Sequence, residues 1–302
     1  MKLYAFSGLA LAALAAGTAP AAVPAPRTMT CPVGGASFTY RPVAPSVPTG
    51  ERPDGRPYAT GVVPSPLPEC PDNGLILYKD YEPDEVAKLA PLVASDAYQA
   101  LRKEDVPYYR AYWLMKAMGI GPEDYLYVLL QASWQADDRP DLRKKYLAEL
   151  ADVSAKVPAR PKDMNWIGME GRAINALREL GRFDEAAARL AKVPLTALNV
   201  PAPAPLDTSP SARDARVRRA WLAYFKAMKP VLARKDASVD PFDLLGRGVA
   251  LGRCLDVPDA LDAAQKAWCG EASADVEALR VARAKADAEA KALQRPREES
   301  GR

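Results

Sequence analysis

The chain has 302 residues, enough for one or two domains with a real core, and its net charge of +3 is too small by itself to point to nucleic acid. It contains no histidine, which removes the commonest general base, the commonest metal ligand and every Ser-His-Asp or Cys-His arrangement. Catalysis would have to run through carboxylates, Lys, Tyr or Cys.

Met1–Ala21 reads as a secretory signal. Lys2 supplies the positive charge, and Leu3–Ala16 is an apolar run too short for a stable membrane anchor. Ala19-Pro20-Ala21 fits the small-x-small rule, which places cleavage after Ala21. No cysteine stands directly after the apolar run, so a lipoprotein anchor is not expected, and no later stretch approaches a membrane-spanning length. The mature protein is therefore expected to be soluble and exported, in the periplasm or outside the cell.

Export changes how the four cysteines read. Cys31 and Cys70 lie near the N-terminus, Cys254 and Cys269 near the C-terminus. Two sequence-local pairs suggest disulfides 31–70 and 254–269. Four cysteines allow three connectivities, and locality is the argument for this one.

Residues 22–82 form a Pro-rich segment with short β-like runs at Ser37–Tyr40, Tyr58–Val63 and Leu75–Tyr81. Within it, Cys31-Pro32-Val33-Gly34-Gly35 and Cys70-Pro71-Asp72-Asn73-Gly74 look like two zinc knuckles of the form Cys-Pro-x-Cys-Gly. Gly34 and Asn73 stand at the second Cys position of each. This arrangement is similar to an uncharacterised bacterial family that opens with such paired knuckles and continues into a tetratricopeptide-like helical region. The resemblance covers roughly Cys31 to Val193. It implies an architecture, a small zinc-ribbon-like β-ribbon followed by helical hairpins, and it carries no activity. In the ribbon geometry the two surviving cysteines would lie close together, and a disulfide would replace the metal as the staple.

From Pro83 the sequence turns helical. Pro83-Asp84-Glu85 opens a helix with Pro and acids in its first turn. Pro107–Met118 follows, then Pro122–Ala136 and Pro140–Val157. Trp166–Val193 reads as two short helices joined at Gly181. Ile167, Gly171, Ile174 and Leu177 recur at helical spacing before the turn, and Phe183, Ala187, Leu190 and Val193 after it. Leu180-Gly181-x-Phe183-Asp184-Glu185-Ala186 resembles the turn of a tetratricopeptide hairpin. Met118-Gly119 echoes it, which suggests repeated hairpins across residues 83–194. Residues 195–208 are too rich in proline to be helical and read as a linker or a strap. C-terminal helices are expected from Ser209 to Ala233, from Asp240 to Leu255 and from Pro258 to Cys269, within residues 209–272. Residues 273–302 form a charged, Ala-rich tail, a solvated helix ending in disorder.

Two stretches could carry binding. Ser209–Lys235 holds eight basic residues against Asp214 alone, with Trp221, Tyr224 and Phe225 interleaved. Either it is a basic amphipathic helix that meets an acidic partner or a membrane surface, Arg216 and Arg219 among its contacts, or its aromatic face packs inward and its charges are solvated. The other stretch is the aromatic cluster Tyr108, Tyr109, Tyr112, Trp113, Tyr125, Tyr127 and Trp134. Tyr112, Trp113 and Trp134 would line a concave binding groove, or pack as core, the commoner fate of such residues. Asp137, Asp138 and Glu170 show no distinctive spacing, and no phosphate loop, nucleophile elbow or metal motif is present.

The reading is a mainly α protein, tetratricopeptide-like hairpins behind a small N-terminal β-ribbon. It would act as a non-catalytic module binding a peptide or protein of the cell envelope, without cofactor, metal or nucleic acid. The alternative is a cell-envelope enzyme using carboxylate or Tyr/Lys chemistry.

Overall fold

The computed structural model describes residues 24–45 and 47–294. The expected signal segment and the last eight residues lie outside the described residues.

The N-terminal ribbon is two antiparallel hairpins. Strand β1 (Arg27–Thr30) pairs with β2 (Ser37–Tyr40), Arg27 opposite Tyr40 and Thr30 opposite Ser37. Strand β3 (Pro48–Glu51) pairs with β4 (Pro57–Ala59). The strands expected over Tyr58–Val63 and Leu75–Tyr81 are shorter than their sequences suggest. The first ends at Ala59, and the second is reduced to one bridge between Glu69 and Ile76. The facing segment holds Pro64, Pro66 and Pro68, which have no N–H to donate to a ladder.

The two knuckles have the same internal hydrogen bonds. Cys31 N–H donates to Ala36 O (2.8 Å) and Gly35 N–H to Cys31 O (3.1 Å). Cys70 N–H donates to Leu75 O and Gly74 N–H to Cys70 O, both at 2.9 Å. Cys31 and Cys70 are bonded to each other, with their Cα atoms 5.6 Å apart. Both are buried against Leu75, Leu89, Val93, Tyr98 and Leu114, so the staple is also the centre of a small core.

Twelve α-helices follow among the described residues. They are α1 (Pro83–Ala94), α2 (Asp96–Glu104), α3 (Pro107–Ala117), α4 (Pro122–Gln135), α5 (Pro140–Ser154), α6 (Met164–Glu179) and α7 (Phe183–Leu190). After them come α8 (Leu195–Leu198), α9 (Pro210–Ala233), α10 (Arg247–Asp256), α11 (Ala263–Glu271) and α12 (Ser273–Gln294). Proline occupies the first turn of α1, α3, α4, α5 and α9, where its fixed φ suits the helix and its missing N–H costs nothing.

Helices α3 to α7 pack each against the next, and α9 closes on α6, α7 and α8. The turns after α3 and α6 are built alike. Gly119 (φ 76°) and Gly181 (φ 73°) take the left-handed conformation. Ile120 N–H reaches back to Met115 O and Arg182 N–H to Leu177 O, a Schellman closure in both. The echo between Met118-Gly119 and Leu180-Gly181 is thus an echo of geometry. One core, rich in tyrosine, lies among α3, α4 and α5; a second lies among α6, α7 and α9.

Three expectations are corrected. Residues 195–208 are not devoid of helix: one turn, α8, forms before the prolines at 201, 203 and 205. The helix expected over Asp240–Leu255 is broken, with a 3-10 turn at Phe242–Leu244, extended backbone at Leu245 and Gly246, and then α10. The break lets Leu245 bury its side chain beside Phe242, Ala250 and Leu261. The return segment likewise splits into a 3-10 turn at Pro258–Ala260 and α11, which starts where Asp262 and Gln265 form a reciprocal capping box. Cys254 and Cys269 are bonded across α10 and α11, their Cα atoms 5.8 Å apart.

Candidate functional site

A groove of about 620 Å³ opens between α4, α6 and the first half of α9. Its aromatic walls are Tyr127, Trp166 and Trp221; its polar side chains include Arg160, Asn165 and Arg172. Tyr127 lies one position off the buried stripe of α4 formed by Leu126 and Leu130, and it is 52 % exposed. It stacks edge-on against Trp134, with ring centroids 5.8 Å apart.

Trp221 is placed by what α6 lacks. A Cβ on Gly171 would overlap the indole, and one on Gly168 would lie 3.3 Å from Cζ2. The two glycines let the ring approach the α6 backbone closely. Arg172 sits over the ring of Trp221, 5.0 Å from the ring centroid, a cation–π arrangement. Its Nη1 donates to Pro53 O (2.6 Å) and its Nη2 to Glu51 Oε2 (3.3 Å). The β3–β4 hairpin thereby fixes one wall of the groove.

Two of the acids in the lining are ion-paired, and among the described residues Asp124 and Asp163 are not. Glu123 and Arg160, both about half-exposed, meet at 3.0 Å at the rim. Glu170 accepts from Arg189 Nε at 2.7 Å and from its Nη2 as well. That makes Glu170 the partner of an arginine fork rather than a free acid or base.

A buried ionic network lies behind this wall. Arg52 donates to Asp54 Oδ2 (2.6 Å) and Asp137 Oδ2 (2.8 Å). Arg143 donates to Asp137 Oδ1 (2.7 Å), Asp54 Oδ2 (3.1 Å) and Glu179 Oε2 (2.6 Å). Burial pushes the Asp54 carboxyl up, but Arg52 and Arg143 outweigh it and hold it at about 2. Burial raises Glu179, against the pull of Arg143. Arg178, fully buried, donates to the carbonyls of Asp236 (2.8 Å) and Ser238 (2.6 Å) and pins the chain after α9. The network locks the β3–β4 loop onto α5 and α6.

The residues singled out from sequence do not form one site. Tyr112 is 1 % exposed and donates to Glu149, which also accepts from Tyr109 at 2.7 Å. Trp134 is 3 % exposed within the same tyrosine-rich core. Trp113 packs instead against Tyr98 beside the Cys31–Cys70 staple. The helical phase of α3 and α4 turns these rings inward, so the groove runs past their exposed neighbour, Tyr127.

Arg216 and Arg219 also have local work. Arg216 donates to Ala204 O (3.1 Å) and to Asp207 O (2.5 Å), and Arg219 to Val200 O (3.1 Å). They tie residues 200–207 down along α9 as a strap. The aromatic face of that helix packs inward, with Phe225 fully buried.

Among the described residues no group of three or more acidic or cysteine side chains is placed to hold a metal, and no helix is long and apolar enough to cross a membrane. The two disulfides point to an oxidising, extracytoplasmic compartment. Set against family models, curated proteins and solved structures, the chain has no match in any of the three.

Proposed function

We propose that the protein is an exported component of the cell envelope, in the periplasm or at the cell surface, whose α4–α6–α9 groove holds an extended segment of a partner protein. One observation carries the reading. The groove combines three partly exposed aromatic rings with amide and guanidinium donors, all backed by rigid helices. Aromatic anchors supply contact area at small entropic cost, and the donors meet the carbonyls of an extended chain. A volume of about 620 Å³ suits a few residues rather than a folded domain. Of the acids in its wall, Glu170 is occupied by Arg189 and Glu123 by Arg160, which favours holding over turnover.

The paired knuckles belong to the same proposal. The matching hydrogen bonds at Cys31 and Cys70 support kinship with the knuckle-bearing family, with a disulfide in the place of zinc.

Panning a random peptide library on the purified protein tests the reading. Selected peptides should lose tenfold or more in affinity with Trp166→Ala or Tyr127→Ala, about 1.4 kcal/mol or more each. Failure to select any peptide, or selection indifferent to both substitutions, would sink it.

A further inference from the structure

A second cavity, of about 500 Å³, lies at the opposite end of α9, between its last turn and α7. Its walls are apolar: Phe183 and Ala187 on α7, Ala191 and Val193 just after it, Leu195 at the start of α8, and Leu232 on α9. The buried side chains of Leu190, Val193 and Leu232 form its floor. Three charged side chains complete the lining, Asp184, Lys229 and Lys235. Among the described residues neither lysine has a carboxylate within 4.0 Å, so the rim carries two cations without an ion-pair partner.

The lining contains no amide, hydroxyl, guanidinium or indole side chain. An extended peptide laid there would find little for its N–H and C=O groups, and leaving those unmet is costly. An alkyl chain asks for no hydrogen bonds. The α4–α6–α9 groove, lined by Asn165, Arg160 and Arg172, has the opposite character.

Lys235 stands at a position where glycine would be easier. Its φ is 55°, and it follows α9 at the left-handed residue of a Schellman closure. Lys235 N–H donates to Leu232 O (3.0 Å) and Asp236 N–H to Val231 O (3.2 Å). The backbone there needs no side chain, so the ammonium group is available to a ligand.

We propose that this cavity binds an amphiphile with a single alkyl chain and an anionic head, the chain along Ala187, Ala191 and Leu232 and the head between Lys229 and Lys235. The carboxylate of a fatty acid has that chemistry. The site is separate from the peptide groove, and each can fail without the other.

Titration calorimetry of the purified protein with decanoate, below its micelle concentration, tests the assignment. Decyltrimethylammonium serves as the cation of equal chain length, and acetate as the head without the chain. Decanoate should saturate one site, and neither comparator should. Lys235→Gly removes one cation while relieving the backbone. It should weaken decanoate about tenfold, the loss of one charge-assisted contact, with a melting temperature equal to or above that of the parent. Ala187→Phe should fill the slot and abolish binding, whereas Trp166→Ala should leave it unchanged. Equal binding of the two amphiphiles, no saturation by decanoate, or indifference to Lys235→Gly would overturn the proposal. Binding of an acidic, apolar peptide that Ala187→Phe abolishes, without any binding of decanoate, would overturn it in favour of a protein partner.

Discussion

Asn73 bridges the two knuckles: its Nδ2 donates to Val33 O at 2.8 Å and lies 3.6 Å from where a Cβ on Gly34 would sit. Positions 34 and 73 thus face one another as positions 31 and 70 do. At one pair a covalent bond joins the knuckles; at the other, an amide hydrogen bond. Asn73 Oδ1 also accepts Leu75 N–H at 2.9 Å, which holds the second knuckle in its turn.

The first prediction concerns this staple. With its cysteines 39 positions apart, the 31–70 bond should contribute about 4 kcal/mol by restricting the unfolded chain. Non-reducing peptide mapping should find Cys31 joined to Cys70, and metal analysis of the same material should find no stoichiometric zinc. Asn73→Ala should cost about 1–3 kcal/mol, since it leaves partly buried backbone groups of both knuckles unpaired. Free thiols at both cysteines in oxidised protein would defeat the first claim, and an unchanged melting temperature for Asn73→Ala the second.

The second prediction separates two aromatic neighbours on α9. Phe225 is fully buried between α6, α7 and α9, so Phe225→Ala should cost about 3–5 kcal/mol. Trp221 keeps part of its ring in the groove, so Trp221→Ala should cost less and fall more heavily on ligand binding. Gly171→Ala should destabilise by about 1–3 kcal/mol, because the new methyl overlaps the indole. Denaturant unfolding of the three variants gives the order. A larger loss for Trp221→Ala than for Phe225→Ala would reverse the assignment of core and groove wall.

Much of the helical framework was legible because its signals are local. Pro at the first turn marks α3 and α4, and Gly just past the last turn marks α3 and α6, without reference to any other part of the chain. The site was not, because its composition depends on how helices are phased against one another. Seven aromatic rings between residues 108 and 134 read either as a groove or as core; Tyr112 and Trp134 turn inward, and only Tyr127 reaches the groove. Trp166 and Trp221 were visible as residues, but nothing local tells that they line one groove, or that Trp221 packs on Gly168 and Gly171. The network of Arg52 and Asp54 left no trace either. Its partners Asp137, Arg143 and Glu179 lie 83 or more positions away, and Arg52-Pro53-Asp54-Gly55 reads as an ordinary surface turn.

The third prediction concerns the strap. Arg216→Ala with Arg219→Ala removes the donors that hold Ala204, Asp207 and Val200. Those contacts are exposed, so global stability should change by less than about 1 kcal/mol. Local opening should become easier. Limited proteolysis should then cut within residues 199–208 at a higher rate than in the parent. An unchanged cleavage pattern would mean that the strap is held by its prolines and apolar contacts alone.

The last prediction follows from Asp54. Its carboxyl is 1 % exposed and is held at about 2, below the ordinary carboxylate value of 3.8. A group whose pKa is depressed by folding stabilises the fold above its unfolded value, and that stabilisation is lost as the pH falls through the folded one. The window therefore runs from about pH 4 down to about pH 2, and the shift corresponds to about 2 kcal/mol. Glu179, raised by burial, acts in the opposite sense and above that window, where stability rises as the pH falls toward 4.5, the ordinary glutamate value. Asp54→Asn should remove the acid-dependent step. At neutral pH it should also cost about 3–5 kcal/mol, because Arg52 and Arg143 would stay buried with one carboxylate fewer. Stability measured by denaturant titration from pH 7 to pH 2 on parent and variant decides it. Parallel curves across the window would show that Asp54 does not carry the acid response. A neutral-pH cost near zero would show that Asp137 and Glu179 suffice to hold both arginines.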